Sequence, residues 1–149
     1  LIANYSDTVK IIEAPGTGYV SDYIFAAEKL GIKEPFMLVM ADLPLITGDI
    51  IEEILEVYRK AGKPALAVYV PLSIYKELGL KPSTVFKKMN RLLVPCGVNI
   101  LHGAWILEEQ DEYILISKRK ELAVNVNTVE DLKSVEKYFE ESKCLKRKK

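Results

Sequence analysis

The continuous apolar run Pro35-Phe-Met-Leu-Val-Met40 constrains the fold more than any other feature of the chain. A strand without polar alternation is one covered on both faces, as in a parallel sheet flanked by helices. It runs into Ala41-Asp42-Leu43-Pro44-Leu45-Ile46 and then Thr47, a residue suited to an N-cap. A helix is expected from there to about Lys60, with Ile50, Ile51, Ile54, Leu55 and Tyr58 as its apolar stripe. Gly62 ends that helix, and Ala65–Val70 reads as the next strand.

The same alternation continues on either side. Val9–Ala14 reads as a short strand closed by Pro15-Gly16-Thr17-Gly18, where two glycines permit turn geometry denied to other residues. A helix follows from about Tyr19 to Leu30, with Ser21 or Asp22 as its cap and Gly31 as its stop. Beyond Pro71 the pattern is less regular. Leu72–Leu78 suggests a short helix, Lys81–Asn90 is basic and polar, and Leu92–Leu101 is a strand interrupted at Pro95-Cys96-Gly97. Tyr113–Ile116 and Glu121–Val126 are further strands, and Thr128 opens a last helix to about Ser142, with Glu130 and Asp131 in its first turn. Alternating strands and helices predict an α/β fold around a mainly parallel sheet, forming a single domain over residues 1–149.

Composition narrows the function. Apolar residues make up 49% and charged residues 28%, with 21 basic against 21 acidic side chains. That is a globular balance, and zero net charge argues against a chain whose main task is gripping nucleic acid. No apolar run approaches the ~20 residues of a membrane helix, and no secretory signal is visible. Cys96 and Cys144 lack metal-binding spacing and suggest a reducing, cytoplasmic setting. The opening residues Leu1–Asp7 read like the end of an amphipathic helix, so the expectation is a chain that begins partway through its fold.

Asp42 is the strongest candidate for chemistry. It follows an apolar strand directly, and ligands of open α/β sheets bind beyond the carboxyl ends of strands. A carboxylate there suits Mg²⁺, which takes one or two carboxylates with phosphate oxygens and waters. The alternative is that Asp42 only begins a turn. Asn125-Val126-Asn127-Thr128 is the second candidate. Spacing alone favours Asn127 or Thr128 as a cap, but an Asn carbonyl oxygen also serves a hard cation without adding charge. Gly16-Thr17-Gly18, ahead of Asp22, is either an ordinary turn or a backbone cradle for an anion or sugar hydroxyl. Gly97, between Cys96 and Asn99, implies a bulge or a close approach by a ligand or another backbone. Cys96 reads as a small buried hydrophobe, His102 as structural, and Trp105 as core or interface. Lys81, Lys87, Lys88 and Arg91 are the internal basic cluster, either a solvated loop or a phosphate contact.

Three of these stretches together carry a resemblance: Ala41-Asp42-Leu43-Pro44-Leu45-Ile46, Leu93-Val94-Pro95-Cys96-Gly97-Val98-Asn99, and Asn125-Val126-Asn127-Thr128 before Glu130-Asp131-Leu132. They resemble the MobA-like nucleotidyltransferases and, more narrowly, the archaeal GTP:adenosylcobinamide-phosphate guanylyltransferases of cobalamin synthesis. The Asp-Leu-Pro stretch is shared across the superfamily. The Pro-x-Gly-x-Asn and Asn-x-Asn-Thr pair favours the cobinamide enzymes, and Gly16-Thr17-Gly18-Tyr19 with Asp22 also fits them. The likeness runs from about Val9 to Phe139.

The resemblance implies a three-layer Rossmann-like fold and transfer of GMP from GTP to adenosylcobinamide phosphate, with Mg²⁺ as cofactor. It implies Asp42 and Asn127 as catalytic and metal-holding residues, with Asn125 in reserve. Gly16, Gly18 and Asp22 would lie on the nucleoside side, and Gly97 and Asn99 would line the substrate's approach. Partners would be small molecules, with no nucleic acid and a homodimer left open. The family's opening strand and glycine-rich Ala-Gly-Gly-x-Gly-x-Arg loop are missing, so the chain is expected to be a C-terminal portion of a longer protein, binding GTP poorly alone. The alternatives are a nucleotidyltransferase acting on another phosphorylated small molecule such as molybdopterin, or a non-catalytic interaction module.

Overall fold

The structure, a computed structural model, describes residues 9–128, 131–133 and 135. The proposed helix end at Leu1–Asp7 and most of the last helix lie outside the described residues. Helices α1 (Tyr19–Lys29), α2 (Gly48–Ala61) and α3 (Leu72–Glu77) alternate with strands β1 (Pro35–Val39), β2 (Ala65–Pro71), β3 (Phe86–Lys88), β4 (Arg91–His102) and β5 (Glu112–Ile116).

The five strands form one sheet in the order β1-β4-β2-β5, with β3 paired to β4. β1 and β2 both run antiparallel to β4, while β2 and β5 run parallel. The expectation of a mainly parallel sheet is therefore corrected: the sheet is mixed. The helix-linked strands β1 and β2 do point the same way, as short crossovers require. They are not neighbours, because β4 lies between them in the opposite direction. β4 reaches that position through a hairpin with β3, whose two-residue turn holds Met89 and Asn90 at φ 49° and 57°. Positive φ at both central residues matches the twist of paired strands.

β4 is also one continuous strand of 12 residues rather than an interrupted one. The Pro95–Gly97 segment is absorbed as a register shift opposite Ala67–Tyr69. The doubly covered strand is β2, buried from Ala65 to Val70, rather than β1, whose ends are exposed. β1 pairs with β4 alone among the described residues, so its apolar run is only half-covered. Val9–Ala14 forms no strand; Val9 and Ile11 are exposed, with no neighbouring strand to satisfy their backbone. Glu121–Val126 is likewise no strand: a 3₁₀ turn at Lys120–Ala123 buries Leu122 and Ala123 against the core.

The main core lies between α2, α3 and one sheet face. Ile50 and Ile54 of α2 meet Leu66, Val68, Val70, Val94, Val98 and Ile100. A smaller cluster of Ala67, Tyr69 and Leu93 occupies the opposite face, with Ile114 and Ile116 packed on it. Gly62 stops α2 in the left-handed conformation at φ 63°, as its position implies. Thr47 stands at the N-cap of α2 with extended backbone, although its hydroxyl makes no capping bond. No helix of the described residues is long and apolar enough to cross a membrane.

Candidate functional site

β1 delivers Met40 and Asp42 to the carboxyl-terminal edge of the sheet, where they meet the middle of β4 and the segment after the 3₁₀ turn. There they border a cleft of about 270 Å³, whose walls include Tyr19, Asp42, Tyr75, Gly97, Asn99 and Asn125. Asp42 lies in a turn and is half-buried. Its carboxylate has no hydrogen-bond or ion-pair partner among the described residues, while its backbone carbonyl accepts a 2.9 Å bond from Val126 N–H. That bond ties the strand end bearing Asp42 to the segment bearing Asn125 and Asn127.

Asn127 borders the next cleft, of about 320 Å³, together with Lys81, Thr128 and Asp131. The two clefts share Tyr75, Pro95 and Asn125 as a common wall. Asp42, Gly97, Asn99 and Asn125 thus come together, and Asn127 stands one wall away. Asn125 is the amide common to both spaces.

Thr128 does cap. Its hydroxyl accepts from Asp131 N–H at 3.1 Å, and the Asp131 carboxylate accepts from Asn127 N–H at 3.0 Å and Thr128 N–H at 2.8 Å. This reciprocal box occupies the backbone of Asn127, and its side chain makes no hydrogen bond among the described residues. The Asn127 N–H, followed by the hydroxyl and N–H of Thr128, holds the Asp131 carboxyl below the usual carboxylate range.

Gly16, Gly18 and Asp22 border neither cleft. Asp22 lies inside α1 and reaches back, its carboxylate accepting from Gly16 N–H at 3.0 Å and Thr17 N–H at 3.2 Å. The cap position belongs to Gly18, at φ 139°, so Ser21 and Asp22 are first-turn residues rather than caps. This loop sets where α1 begins, and it is Tyr19, the next residue, that enters the cleft wall. Burial pushes the Tyr19 hydroxyl up, partly offset by hydrogen bonding to Asn99.

Gly97 is closely approached by Met40, backbone and side chain alike, and it also borders the cleft. Its carbonyl accepts from Met40 N–H at 3.0 Å, its φ is +81°, and an added Cβ would fall 2.4 Å from Met40 Cγ. Cys96 is buried, which drives its thiol up to about 11. Tyr75 is driven up to about 12, chiefly by burial, then by the nearby Cys96 and Asp42. Both therefore remain protonated and neutral at pH 7. His102 stacks on Trp105 at 4.2 Å and borders neither cleft.

The basic cluster does not act as a unit. Lys88 pairs with Glu112 and lies over the Tyr69 ring, Lys81 faces the second cleft, and Arg91 faces a third space. Sequence reasoning gave no role to Met40 or Tyr75, ordinary residues in their elements that no spacing marks out, and Tyr19 entered it only as the end of the Gly-x-Gly-Tyr stretch.

No group of three His, Cys, Asp or Glu side chains among the described residues is placed to hold a metal. One free carboxylate with neutral amides nearby suits instead a hard cation that brings most of its ligands as phosphate oxygens and water.

No family model matches the chain, and no curated protein matches it. Among solved structures, its fold is similar to that of a hypothetical transferase from Thermus thermophilus. The two are 11% identical at a TM-score of 0.61, over 78% of this chain and 70% of that one. The shared feature is the α/β fold.

Proposed function

We propose that the chain belongs to a nucleotidyltransferase that moves GMP from GTP to adenosylcobinamide phosphate, releasing pyrophosphate. The observation that carries this reading is the Asp42 carboxylate, unpaired among the described residues, in a cleft walled by the neutral amides Asn99 and Asn125. It is joined by resemblance in three sequence stretches and by a fold like that of a hypothetical transferase.

The chemistry is an in-line displacement. An acceptor phosphate oxygen, already ionised at neutral pH, forms a bond to the α-phosphorus of the nucleotide. The bond from that phosphorus to the bridging oxygen breaks, and pyrophosphate leaves with the electron pair. No proton has to be removed, so alignment and charge neutralisation supply the rate. Mg²⁺, when bound, supplies neutralisation of the triphosphate charge. Asp42 would hold the cation, with Asn125 of the same cleft offering an amide oxygen or donor beside it, while Asn127 would meet the phosphates only from the adjoining cleft. Keeping Tyr75 and Cys96 protonated avoids further negative charge beside the phosphates.

Asp42→Asn in the intact protein tests the assignment. Mg²⁺-dependent pyrophosphate release with GTP and adenosylcobinamide phosphate should fall by about 100-fold or more, with an unchanged circular dichroism spectrum. Wild-type rates in that variant would overturn it. Titration of the intact wild-type protein with GTP, CTP, ATP and UTP tests the donor, and tight binding of CTP without GTP would remove the cobinamide reading.

A further inference from the structure

A broad groove of about 550 Å³ lies beyond the carboxyl end of β2, bordered by Pro71, Leu72, Lys76, Arg91, Leu92 and Lys118. It is separate from the Asp42 cleft. α3 divides them, sending Tyr75 to the cleft walls and Leu72 and Lys76 to the groove.

Its three cations come from three places in the chain: Lys76 from α3, Arg91 from the start of β4, and Lys118 from just after β5. Among the described residues no acidic side chain borders the groove. Neighbouring basic residues are neutralised, Arg119 by Glu53, Lys120 by Glu77 and Lys88 by Glu112. Lys76, Arg91 and Lys118 have no ion pair among the described residues. All three are exposed and of one sign, so an anion entering the groove meets a positive field. The position is also apt, because β2 and β5 are parallel neighbours and both end here.

Ser73 adds one hydroxyl to the border, and the remainder is apolar. Leu92 is 52% exposed, directly beside Arg91, and Leu72 and Pro71 adjoin it. A free inorganic anion would leave this surface unused.

We infer that the groove is a binding site for an organic phosphate, its phosphoryl group held by Lys76, Arg91 and Lys118 and its apolar body laid over Leu92 and Leu72. Arg91 offers a planar fork to two phosphoryl oxygens, and the lysines act as point charges. This assignment does not depend on nucleotidyl transfer at Asp42.

Calorimetry on the intact protein with phenyl phosphate, and separately with inorganic phosphate, tests it. Phenyl phosphate should bind at one site per chain and about tenfold more tightly than inorganic phosphate, reflecting its buried ring. Arg91→Ala with Lys118→Ala should weaken phenyl phosphate by about tenfold or more, and Leu92→Ser should remove the advantage over inorganic phosphate. Asp42→Asn should leave both affinities unchanged, which separates this site from the cleft. Unfolding midpoints of each variant within wild-type range certify the comparison, and Arg91→Lys gives a second, milder variant expected to bind at intermediate strength. The proposal is overturned by failure of wild-type protein to bind phenyl phosphate, or by equal binding in the double variant. Preferential capture of single-stranded oligonucleotides with steep salt dependence would also overturn it, making the surface a nucleic-acid contact.

Discussion

Replacing Gly97 with alanine should destabilise the protein through two separable causes. At φ +81° an L side chain is strained, at about 1–2 kcal/mol. The new Cβ would also fall 2.4 Å from Met40 Cγ and 3.0 Å from Met40 Cβ, and crowding of this kind costs about 1–3 kcal/mol. Met40 has limited freedom to retreat, because its own N–H is bonded to the Gly97 carbonyl. The expected loss is therefore about 2–5 kcal/mol, a large share of the about 5–15 kcal/mol that holds a domain together. Urea unfolding followed by circular dichroism reads it directly, and Tm should fall by about 2–4 °C per kcal/mol. Met40→Ala separates the causes. It removes the Cγ contact but leaves the strain, so the double variant should be more stable than the sum of the single losses by about 1 kcal/mol or more. Gly97→Ala within about 0.5 kcal/mol of wild type, or strict additivity in the cycle, would refute this account of why glycine stands there.

Three further outcomes are expected. Gly103→Ala would put a Cβ 2.4 Å from the Ile32 carbonyl oxygen, a backbone atom with little room to yield, and should lower the urea midpoint by the equivalent of about 1–3 kcal/mol. Asp131→Asn tests the capping box through pH. The folded carboxyl titrates below its ordinary 3.8, so its stabilisation is complete above that value and fades as pH falls through the folded value. Wild type and variant should accordingly differ in urea midpoint at pH 7 and converge in strong acid, whereas a pH-independent gap would contradict the mechanism. Burial raises the Cys96 thiol from 9.0 to about 11, which cuts its thiolate about 100-fold at pH 8. Iodoacetamide should modify Cys96 at least that much more slowly in the native protein than in urea, read by peptide mass spectrometry.

The candidate site was legible where chemistry-bearing residues stand directly at the ends of elements. Asp42 after β1 and Asn125 before the capped turn both reach the cleft. The glycine loop lies outside both clefts for a physical reason. Its residues organise the start of α1 through Asp22, and the residue presented to the cleft is Tyr19. Tyr75 and Met40 carry no pattern, because their place in the wall depends on what packs beside them. Asn127 shows the same limit. Its backbone is committed to the capping box, while its side chain faces the space beside the one that Asp42 borders.

Local pattern is enough to place helices α1 and α2, their glycine stops at Gly31 and Gly62, and a strand at Ala65–Val70. Those are consequences of local periodicity and of backbone angles open to glycine. Long-range packing settles the rest: β4 runs backwards between β1 and β2, β2 rather than β1 is the fully buried strand, and Val9–Ala14 pairs with nothing among the described residues. A strand's neighbours and direction depend on hydrogen bonds to residues far away in sequence, and no local pattern of side chains encodes which edge will be taken.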